Sequence, residues 1–232
     1  MKKKLVVLSG AGISAESNIN TFRDAGGLWE GHDVMEVASP EGFNKNPALV
    51  LDFYNKRRQQ LREVQPNKAH VIIAELENDF DVTVITQNVD DLHERAGSTN
   101  VLHLHGELLK ARCSACETEI VDWTEDIVQG TLHPKTKKQL RPHIVWFGEA
   151  VPAIMPAVEI VQQADYIIVI GTSMQVYPAA GLVNYAAPNV PIYYIDPNPA
   201  PIADFNNPVE VIPLTASEGM AIVAEKLNNQ VV

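Results

Sequence analysis

A buried strand that runs directly into a glycine loop is the feature that most constrains the fold of this chain. Residues 5–8 are all apolar, as in a strand buried on both faces. Residues 10–15 follow with the spacing G-x-G-x-x-A, which is typical of a strand turning tightly into a helix. Glycine there lets the backbone approach a pyrophosphate, whose negative charge is favoured by the N–H groups and dipole of the helix. Alone, the pattern also fits a simple turn.

The segment after this loop departs from the usual dinucleotide fingerprint. That fingerprint continues into a second strand whose Asp or Glu, about 20 residues on, holds a ribose. Here the chain passes instead through residues 20–24 and then Gly26 and Gly27, with no second strand predicted. The loop is therefore expected to serve a reaction other than ordinary hydride transfer.

Five short apolar runs predict strands, and the segments between them predict helices. The strands are residues 5–8, 82–85, 166–170, 192–195 and 209–212, and the helices are residues 48–63, 67–78, 156–163, 178–187 and 217–228. This alternation predicts an α/β fold with a Rossmann-like, parallel, doubly wound sheet. Ligands bind at the carboxyl ends of the strands in such sheets, where polar residues follow most of these runs.

One segment, residues 104–152, breaks this alternation. It contains Cys113 and Cys116 in a C-x-x-C pair and shows little periodicity. We predict that it forms a small inserted module, whereas residues 1–103 and 153–232 together form the Rossmann-like domain.

The composition narrows the classes of function. A formal net charge of −11 over 232 residues disfavours nucleic acid as a partner. No apolar run approaches the ~18 residues of a membrane span, and the run at residues 5–8 is shorter than the ~7–15 residues of a signal-peptide core. Two cysteines exclude a secreted disulfide scaffold. We expect a cytoplasmic protein, and a monomer because no sustained heptad is present.

The stretch from Thr86 to Asp90 provides candidate polar groups for a site. It follows a buried strand, so the amides of Gln87 and Asn88 and the carboxylate of Asp90 can point into one cleft. A polar turn that caps a helix at Asp90 or Asp91 is the alternative.

His103 and His105 alternate in an extended segment, which places both side chains on the same side. A histidine titrates near neutrality and suits general-base catalysis. His105 is the better candidate because Gly106 follows it and admits close backbone approach. A buried structural histidine is the alternative.

Six motifs, in order along essentially the whole chain, resemble those of the sirtuins, which are NAD-dependent protein lysine deacylases. The motifs are Gly10-Ala11-Gly12-Ile13-Ser14, Thr21-Phe22-Arg23, Thr86-Gln87-Asn88-Val89-Asp90, His105-Gly106, Val145-Trp146-Phe147-Gly148-Glu149 and Gly171-Thr172-Ser173. The resemblance implies that NAD is consumed, that the acyl group of a lysine is transferred to ADP-ribose, and that nicotinamide is released. The partners it implies are the acyl-lysine side chains of proteins.

The resemblance also implies the roles of individual residues. His105 would be the general base on a ribose hydroxyl, and Asn88 would position the ribose or a water. The residues implied for NAD binding are Gly10, Ala11, Gly12, Ile13, Phe22, Arg23, Gln87, Asn88, Asp90, Gly171, Thr172, Ser173, Asp196, Asn198 and Ala216. The family usually has Asn where Asp196 stands, so Asn198 is the alternative there. The residues implied for pairing with an extended substrate backbone are Val145, Phe147, Gly148, Glu149 and Val176.

Tyr54 and Arg57 lie three residues apart, on one face of a predicted helix. A phenol O–H and a guanidinium on one face can hold a carboxylate, although a basic amphipathic helix is the alternative. Tyr-x-x-Arg at this place resembles the sirtuins that remove succinyl and malonyl groups. The resemblance therefore implies a desuccinylase and demalonylase that also removes acetyl groups.

The chain departs from the family in the inserted module. Sirtuins usually carry two C-x-x-C pairs that bind zinc with four thiolates. Cys113 and Cys116 match the first pair, but His133 and Thr136 stand near the expected second pair. Completion of a site by Asp122, Glu125 or water is the alternative. We predict that zinc is lost and that Trp123, Leu132 and Leu140 pack the module.

Two other functions remain open from the sequence. A protein mono-ADP-ribosyltransferase would share the first chemical step but use a different acceptor. A non-catalytic sensor of NAD or ADP-ribose would be expected to lack His105, Asn88 or Asp90, and all three are present.

Overall fold

A six-stranded parallel sheet forms the centre of the computed structural model, which describes residues 2–20, 28–29, 31–116, 118–201 and 207–229, the second range by its backbone alone. The described strands are β1 (Lys3–Ser9), β2 (Leu28–Trp29), β3 (His32–Asp33), β4 (Phe80–Thr86), β5 (Val101–His103), β6 (Gly106–Cys113), β7 (Ile120–Asp122), β8 (Leu140–Ile144), β9 (Tyr166–Ile170), β10 (Ile192–Ile195) and β11 (Val209–Ile212). The sheet has the order β11-β10-β9-β1-β4-β5. All five predicted strands lie in it, which confirms the α/β class.

Helices cover both faces of the sheet. The described α-helices are α1 (Val34–Val37), α2 (Pro40–Lys45), α3 (Pro47–Glu63), α4 (Lys68–Glu75), α5 (Leu92–Ala96), α6 (Ile154–Gln162) and α7 (Ala216–Asn228). Leu5 and Val7 of β1 pack with α4 and α7, whereas Val6 and Leu8 pack with α6. Because successive strand residues point to opposite faces, double burial explains why β1 is apolar throughout.

Two predicted helical segments adopt a tighter geometry. The segment after the glycine loop is a 3₁₀ helix over Ala11–Ser17, and the predicted helix at 178–187 is a 3₁₀ helix over Ala179–Tyr185. The predicted helix at 67–78 is α-helical over Lys68–Glu75 and ends in a 3₁₀ turn. The short helices α1, α2 and α5 were not predicted, because four to six residues carry too little periodicity.

The inserted segment contains a second, antiparallel sheet with the order β7-β6-β8. Its core joins Ala111 and Leu140 to Leu51 of α3, so that helix packs on the module. Of the predicted packing residues, Leu140 is fully buried and Trp123 is partly buried. Leu132 is 50% exposed, so the prediction was wrong there, because the bridge of Leu132 to Gln139 leaves its side chain at the surface.

A two-stranded ribbon, β2 with β3, follows the glycine loop in sequence. It is not the second sheet strand of a dinucleotide fingerprint, in agreement with the sequence. Within the described ranges, no helix has the length and apolar character needed to cross a membrane.

The central strands end level with one another. Ser9 at the end of β1 pairs with Thr86 of β4 on one side and with Ile170 of β9 on the other. His103 at the end of β5 pairs with Thr86. Chain order reverses between β1 and β9, which is the topological switch point where open α/β sheets bind ligands.

Candidate active site

A cleft of about 500 Å³ opens at this carboxyl edge of the sheet. It is lined by most of the predicted site residues: Gly10, Ala11, Gly12, Tyr54, Arg57, Gln87, Asn88, Asp90, His105, Val145, Phe147, Gly148, Glu149, Gly171, Thr172, Ser173, Val176, Asp196 and Asn198. Ile13 and Ala216 lie instead in the hydrophobic core behind it. Phe22 and Arg23 lie outside the described residues.

The loops after β1 and β9 touch at the base of the cleft. Gly10 N–H donates to the carbonyl of Ile170 at 3.0 Å, and Gly12 N–H donates to that of Gly171 at 2.8 Å. A Cβ atom on Gly12 would lie only 2.7 Å from the Cα atom of Gly171, a distance that real side chains do not adopt. The glycines therefore bring two backbones together and keep the cleft floor free of side chains, as a pyrophosphate requires.

Three polar side chains meet next to this loop. The Asn88 amide donates to Ser14 Oγ at 3.1 Å, and the Ser14 hydroxyl donates to Asp90 Oδ2 at 3.0 Å. Burial raises the pKa of Asp90. Leu92 N–H donates to Asp90 Oδ1 at 3.2 Å, so the carboxylate also meets the start of α5, as the turn interpretation expected.

Ser14 was not predicted as a site residue, although it belongs to the first motif. Its role depends on the 3₁₀ helix, which turns the hydroxyl towards Asn88 in the loop after β4. A serine two residues after a glycine is also a common helix-start residue, so its type alone did not indicate this contact.

His105 has the protonation pattern of a general base. Its Nδ1 lies 3.0 Å from the carbonyl oxygen of Gln87. A carbonyl only accepts, so Nδ1 carries the proton and Nε2 carries the lone pair. Burial lowers the pKa of His105, more than the hydrogen bond to Gln87 raises it, so the neutral form is favoured.

Gly106 supports His105 for a different reason from the predicted one. Its φ is +80°, and a Cβ atom there would collide with the carbonyl oxygen of His143 in β8. Glycine is therefore required so that β6 can pair with β8 directly beneath the histidine.

The far end of the cleft is built by the loops after β9 and β10. Gln87 Nε2 donates to Thr172 Oγ1 at 3.1 Å, which connects the loop after β4 to the loop after β9. The Tyr194 hydroxyl donates to the carbonyl of Thr172 at 3.1 Å. Asn198 N–H donates to Asp196 Oδ1 at 2.8 Å, so both alternatives for a ribose contact lie on one turn.

A chain of contacts fixes Tyr54 at the other end of the cleft. Glu149 accepts from Arg112 at 2.9 Å and from Arg141 at 2.8 Å. The Arg141 guanidinium lies 3.5 Å above the Trp146 ring, and the indole N–H donates to the Tyr54 oxygen at 3.0 Å. Burial raises the pKa of Tyr54, which keeps the phenol protonated.

Arg57 lies about one turn along α3 from Tyr54 and lines the same cleft. Its guanidinium is 5.7 Å from the centre of the Phe53 ring. The prediction that the two side chains share one face, at one site, agrees with this arrangement.

The segment 145–149 is tied to the protein by its N–H groups. Val145 donates to His105 O at 2.9 Å, and Phe147 donates to Ala38 O at 2.9 Å. The side chain of Glu149 is held by the two arginines and by Trp146 N–H. The side chain of Phe147 is 42% exposed beside the cleft.

The module does not assemble a zinc site in the described part of the chain, where no cluster of three or more His, Cys, Asp or Glu side chains could hold a metal. The free thiols of Cys113 and Cys116 hydrogen-bond with each other and with the Thr136 side chain. His133 Nδ1 accepts the N–H groups of Lys135 and Thr136 at 3.2 Å and 3.1 Å. Thr136 therefore offers a hydroxyl where the family pattern has a thiolate, and His133 uses Nδ1 to stabilise a turn.

The sheet, the glycine-lined cleft and the buried histidine define a nucleotide-binding α/β protein. A family model described as "Sir2 family" matches residues 10–178. This is more than half of the chain, and the chain therefore belongs to the Sir2 family, which confirms the resemblance to the sirtuins.

Curated relatives and solved structures agree with this membership. An NAD-dependent protein deacylase of Helicobacter pylori is 63% identical over 195 residues, covering 84% of this chain and 85% of the relative. An NAD-dependent protein deacylase of Bacteroides thetaiotaomicron is 52% identical over 224 residues, covering 94% of this chain and 95% of the relative. A crystal structure of a Sir2 homologue–NAD complex matches with a TM-score of 0.84 and 40% identity, covering 100% of this chain and 91% of that chain. The structure of a Sir2 protein bound to an acetylated peptide matches with a TM-score of 0.79 and 29% identity, covering 98% of this chain and 94% of that chain.

Proposed function

We propose that this NAD-dependent protein deacylase removes succinyl and malonyl groups from lysine side chains, and acetyl groups in addition. Tyr54 and Arg57 carry the proposal, because they place a protonated phenol and a guanidinium at one end of the cleft. A guanidinium forms charge-assisted hydrogen bonds with a carboxylate, which succinyl and malonyl carry and acetyl lacks. The substrate proteins are recognised by their acyl-lysine.

The glycine-lined floor of the cleft fits NAD, which supplies the ribose carbon that loses nicotinamide and the hydroxyl that accepts the acyl group. Gly10 and Gly12 leave room for the pyrophosphate, and Asp196 with Asn198 lies at the adenosine end. Asn88 and Asp90 orient the reacting ribose and the nicotinamide carboxamide. His105 Nε2 takes the proton from the ribose hydroxyl as general base.

The segment 145–149 is proposed to align the substrate backbone by strand addition. Its N–H groups at Val145 and Phe147 are engaged by the protein, and Glu149 N–H donates to the Trp146 carbonyl at 3.0 Å in a turn, so the backbone of the segment is fixed beside the cleft. A fixed backbone lowers the conformational cost of pairing with a peptide. Val176 lines the same cleft and is proposed to contact the substrate backbone as well.

We further propose that the folded module needs no zinc, and that the protein works as a cytoplasmic monomer that acts on proteins rather than nucleic acid. The absence of a zinc requirement is supported by Thr136, which stands where the family pattern has a thiolate. The net charge of −11 supports protein rather than nucleic acid as the substrate, because the phosphates of a nucleic acid would be repelled.

The acyl preference is tested with Arg57→Met. We expect kcat/KM for a succinyl-lysine peptide to fall roughly ten- to a hundredfold, because a hydrogen bond to a charged group contributes about 1.5–3 kcal/mol. Deacetylation should stay within a few-fold of wild type. Both rates are measured by mass spectrometry of the peptide with saturating NAD.

The matched control is Arg62→Met, which removes an exposed arginine from the same helix and should leave all rates unchanged. If Arg57→Met leaves desuccinylation intact while deacetylation falls, the proposed acyl preference is wrong.

A further inference from the structure

Asn88 is held at three points in the structure. Its N–H donates to Thr86 Oγ1 at 3.0 Å, and its side-chain amide donates to Ser14 Oγ at 3.1 Å. The third contact is made by His103, whose Nδ1 lies 3.0 Å from the Asn88 carbonyl oxygen. The first contact comes from the end of β4 and the second from the 3₁₀ helix after β1, whereas the third comes from the edge strand β5.

His103 is doubly protonated in this arrangement. The Asn88 carbonyl only accepts, so Nδ1 must donate to it. Nε2 lies 2.7 Å from Glu94 Oε1, and a carboxylate at that distance also accepts. Burial opposes the charged form, but the hydrogen bond and negative charge of Glu94 outweigh it, so the pKa of His103 is raised.

Other ionisable groups also face this imidazolium. They are Asp90 and His93, which lie on either side of the start of α5, and Glu107 on β6. Glu107 favours the charge on His103, and the imidazolium in turn favours the charged forms of Asp90 and Glu94, although burial still leaves the pKa of Asp90 raised. The balance of these charges favours the cation.

His103 and His105 make parallel contacts with opposite consequences. Their Nδ1 atoms donate to two successive carbonyls, His103 to Asn88 and His105 to Gln87, each at 3.0 Å. Glu94 engages Nε2 of His103, which removes it as a base. His105 keeps a lone pair on Nε2 and lines the cleft. Of these two histidines, His103 thus supports the loop that carries Asn88, and His105 is the one available for proton transfer.

We propose that His103 and Glu94 are positioning residues that fix the Asn88 backbone, and through its side chain the Ser14–Asp90 pair, against the reacting ribose. A shift of the Asn88 carbonyl would move its amide relative to Ser14 Oγ, because both groups belong to one residue with a fixed N–H contact to Thr86. Small displacements of a positioning group cost large factors in rate. This inference rests on the proposed NAD-dependent reaction.

The test is the pH profile of kcat/KM for NAD with an acyl-lysine peptide in excess. In wild type, activity should rise as His105 loses its proton and fall at alkaline pH as His103 loses its charge. His103→Gln keeps one amide donor but no charge, so kcat should fall roughly tenfold and the alkaline limb should disappear. Glu94→Gln should move the alkaline limb to lower pH.

His143→Gln is the matched control, because His143 lies on β8 in the other sheet and outside the cleft lining. Its profile should match that of wild type. An alkaline limb unchanged in both His103→Gln and Glu94→Gln would overturn the inference while leaving the deacylase function intact. If wild type consumes no NAD with any acyl peptide, the proposed function fails and this inference fails with it. Should His103→Gln not fold, Glu94→Gln decides, since Glu94 is partly exposed.

Discussion

His105 illustrates how one residue acquires a catalytic protonation state from its surroundings. The Gln87 carbonyl fixes the proton on Nδ1, and burial lowers the pKa of the ring below its usual 6.5. A base acts only when unprotonated, so a lowered pKa favours the form of His105 that the proposed reaction requires at neutral pH. His103, two residues earlier, shows the reverse effect because a carboxylate contacts it.

The first prediction concerns the acid side of the pH profile. We expect kcat/KM for NAD to increase with pH through a midpoint below 6.5, because the pKa of His105 is lowered by burial. His105→Ala should reduce kcat by roughly 10²–10⁴-fold, the usual contribution of general-base catalysis. Nicotinamide release measured from pH 5 to 8 checks both points. A midpoint above 6.5 would mean that another group is the base.

Some residues of the site could be predicted from residue type and spacing, whereas the contacts of others are visible only in the structure. Asn88, Asp90 and His105 follow from their places after strands and from the family resemblance. The contacts of Ser14 and His103 could not be predicted, because they depend on hydrogen bonds to atoms 74 and 15 residues away. Ile13 belongs to the first motif and Ala216 was implied by the resemblance, but both pack in the core, since backbone direction decides which side chains reach the cleft.

At the scale of elements, the contact between the loops after β1 and β9 sets the shape of the nucleotide cleft. Gly12→Ala would place a Cβ atom 2.7 Å from the Cα atom of Gly171. Overpacking of this kind costs about 1–3 kcal/mol, so we expect the free energy of unfolding to fall by that amount. Denaturant unfolding, with NAD affinity as a second readout, measures the effect.

Gly181→Ala provides the control for that substitution. Its Cβ atom would lie 3.6 Å from the Tyr177 ring, an ordinary contact, within the 3₁₀ helix Ala179–Tyr185. Its stability should stay at or slightly above that of wild type. Equal destabilisation by both substitutions would argue against a specific contact between the loops.

The elements that the sequence predicted best are the long or strongly apolar ones. β9, β10 and β11 have the predicted bounds, because their apolar runs stop at polar residues or proline. β5 has three residues and α5 has five, so neither spans enough of a period to be detected. In the antiparallel sheet of the module, apolar and polar residues alternate irregularly along the strands. A register shift between Glu107 and Ala111 disrupts this alternation further.

At the scale of the whole molecule, the inserted module takes its stability from packing on α3. Leu51, Ala111, Ile127 and Leu140 form one buried cluster. The Asn55 side chain adds polar contacts, since it accepts Ile127 N–H and donates to Ile127 O, both at 2.9 Å. A hydrophobic cluster that joins the module to helix α3 can stabilise the module in place of a metal.

We therefore expect purified protein to contain zinc well below one ion per chain. A strong chelator should leave Tm and kcat unchanged, because no thiolate cluster would be dismantled. Metal analysis by mass spectrometry and a thermal scan with and without chelator check this. One zinc per chain, lost together with several degrees of Tm, would show that the module binds the metal and would contradict this prediction.

The fold, the cleft and the family together lead to one central claim, that this chain couples the consumption of NAD to the removal of an acyl group from lysine. The most direct measurement follows nicotinamide, deacylated peptide and acylated ADP-ribose in one reaction with a succinyl-lysine peptide. We expect all three to form in equal amounts and none to form without the peptide. Nicotinamide release with the peptide still fully acylated would contradict it and would favour ADP-ribosyl transfer.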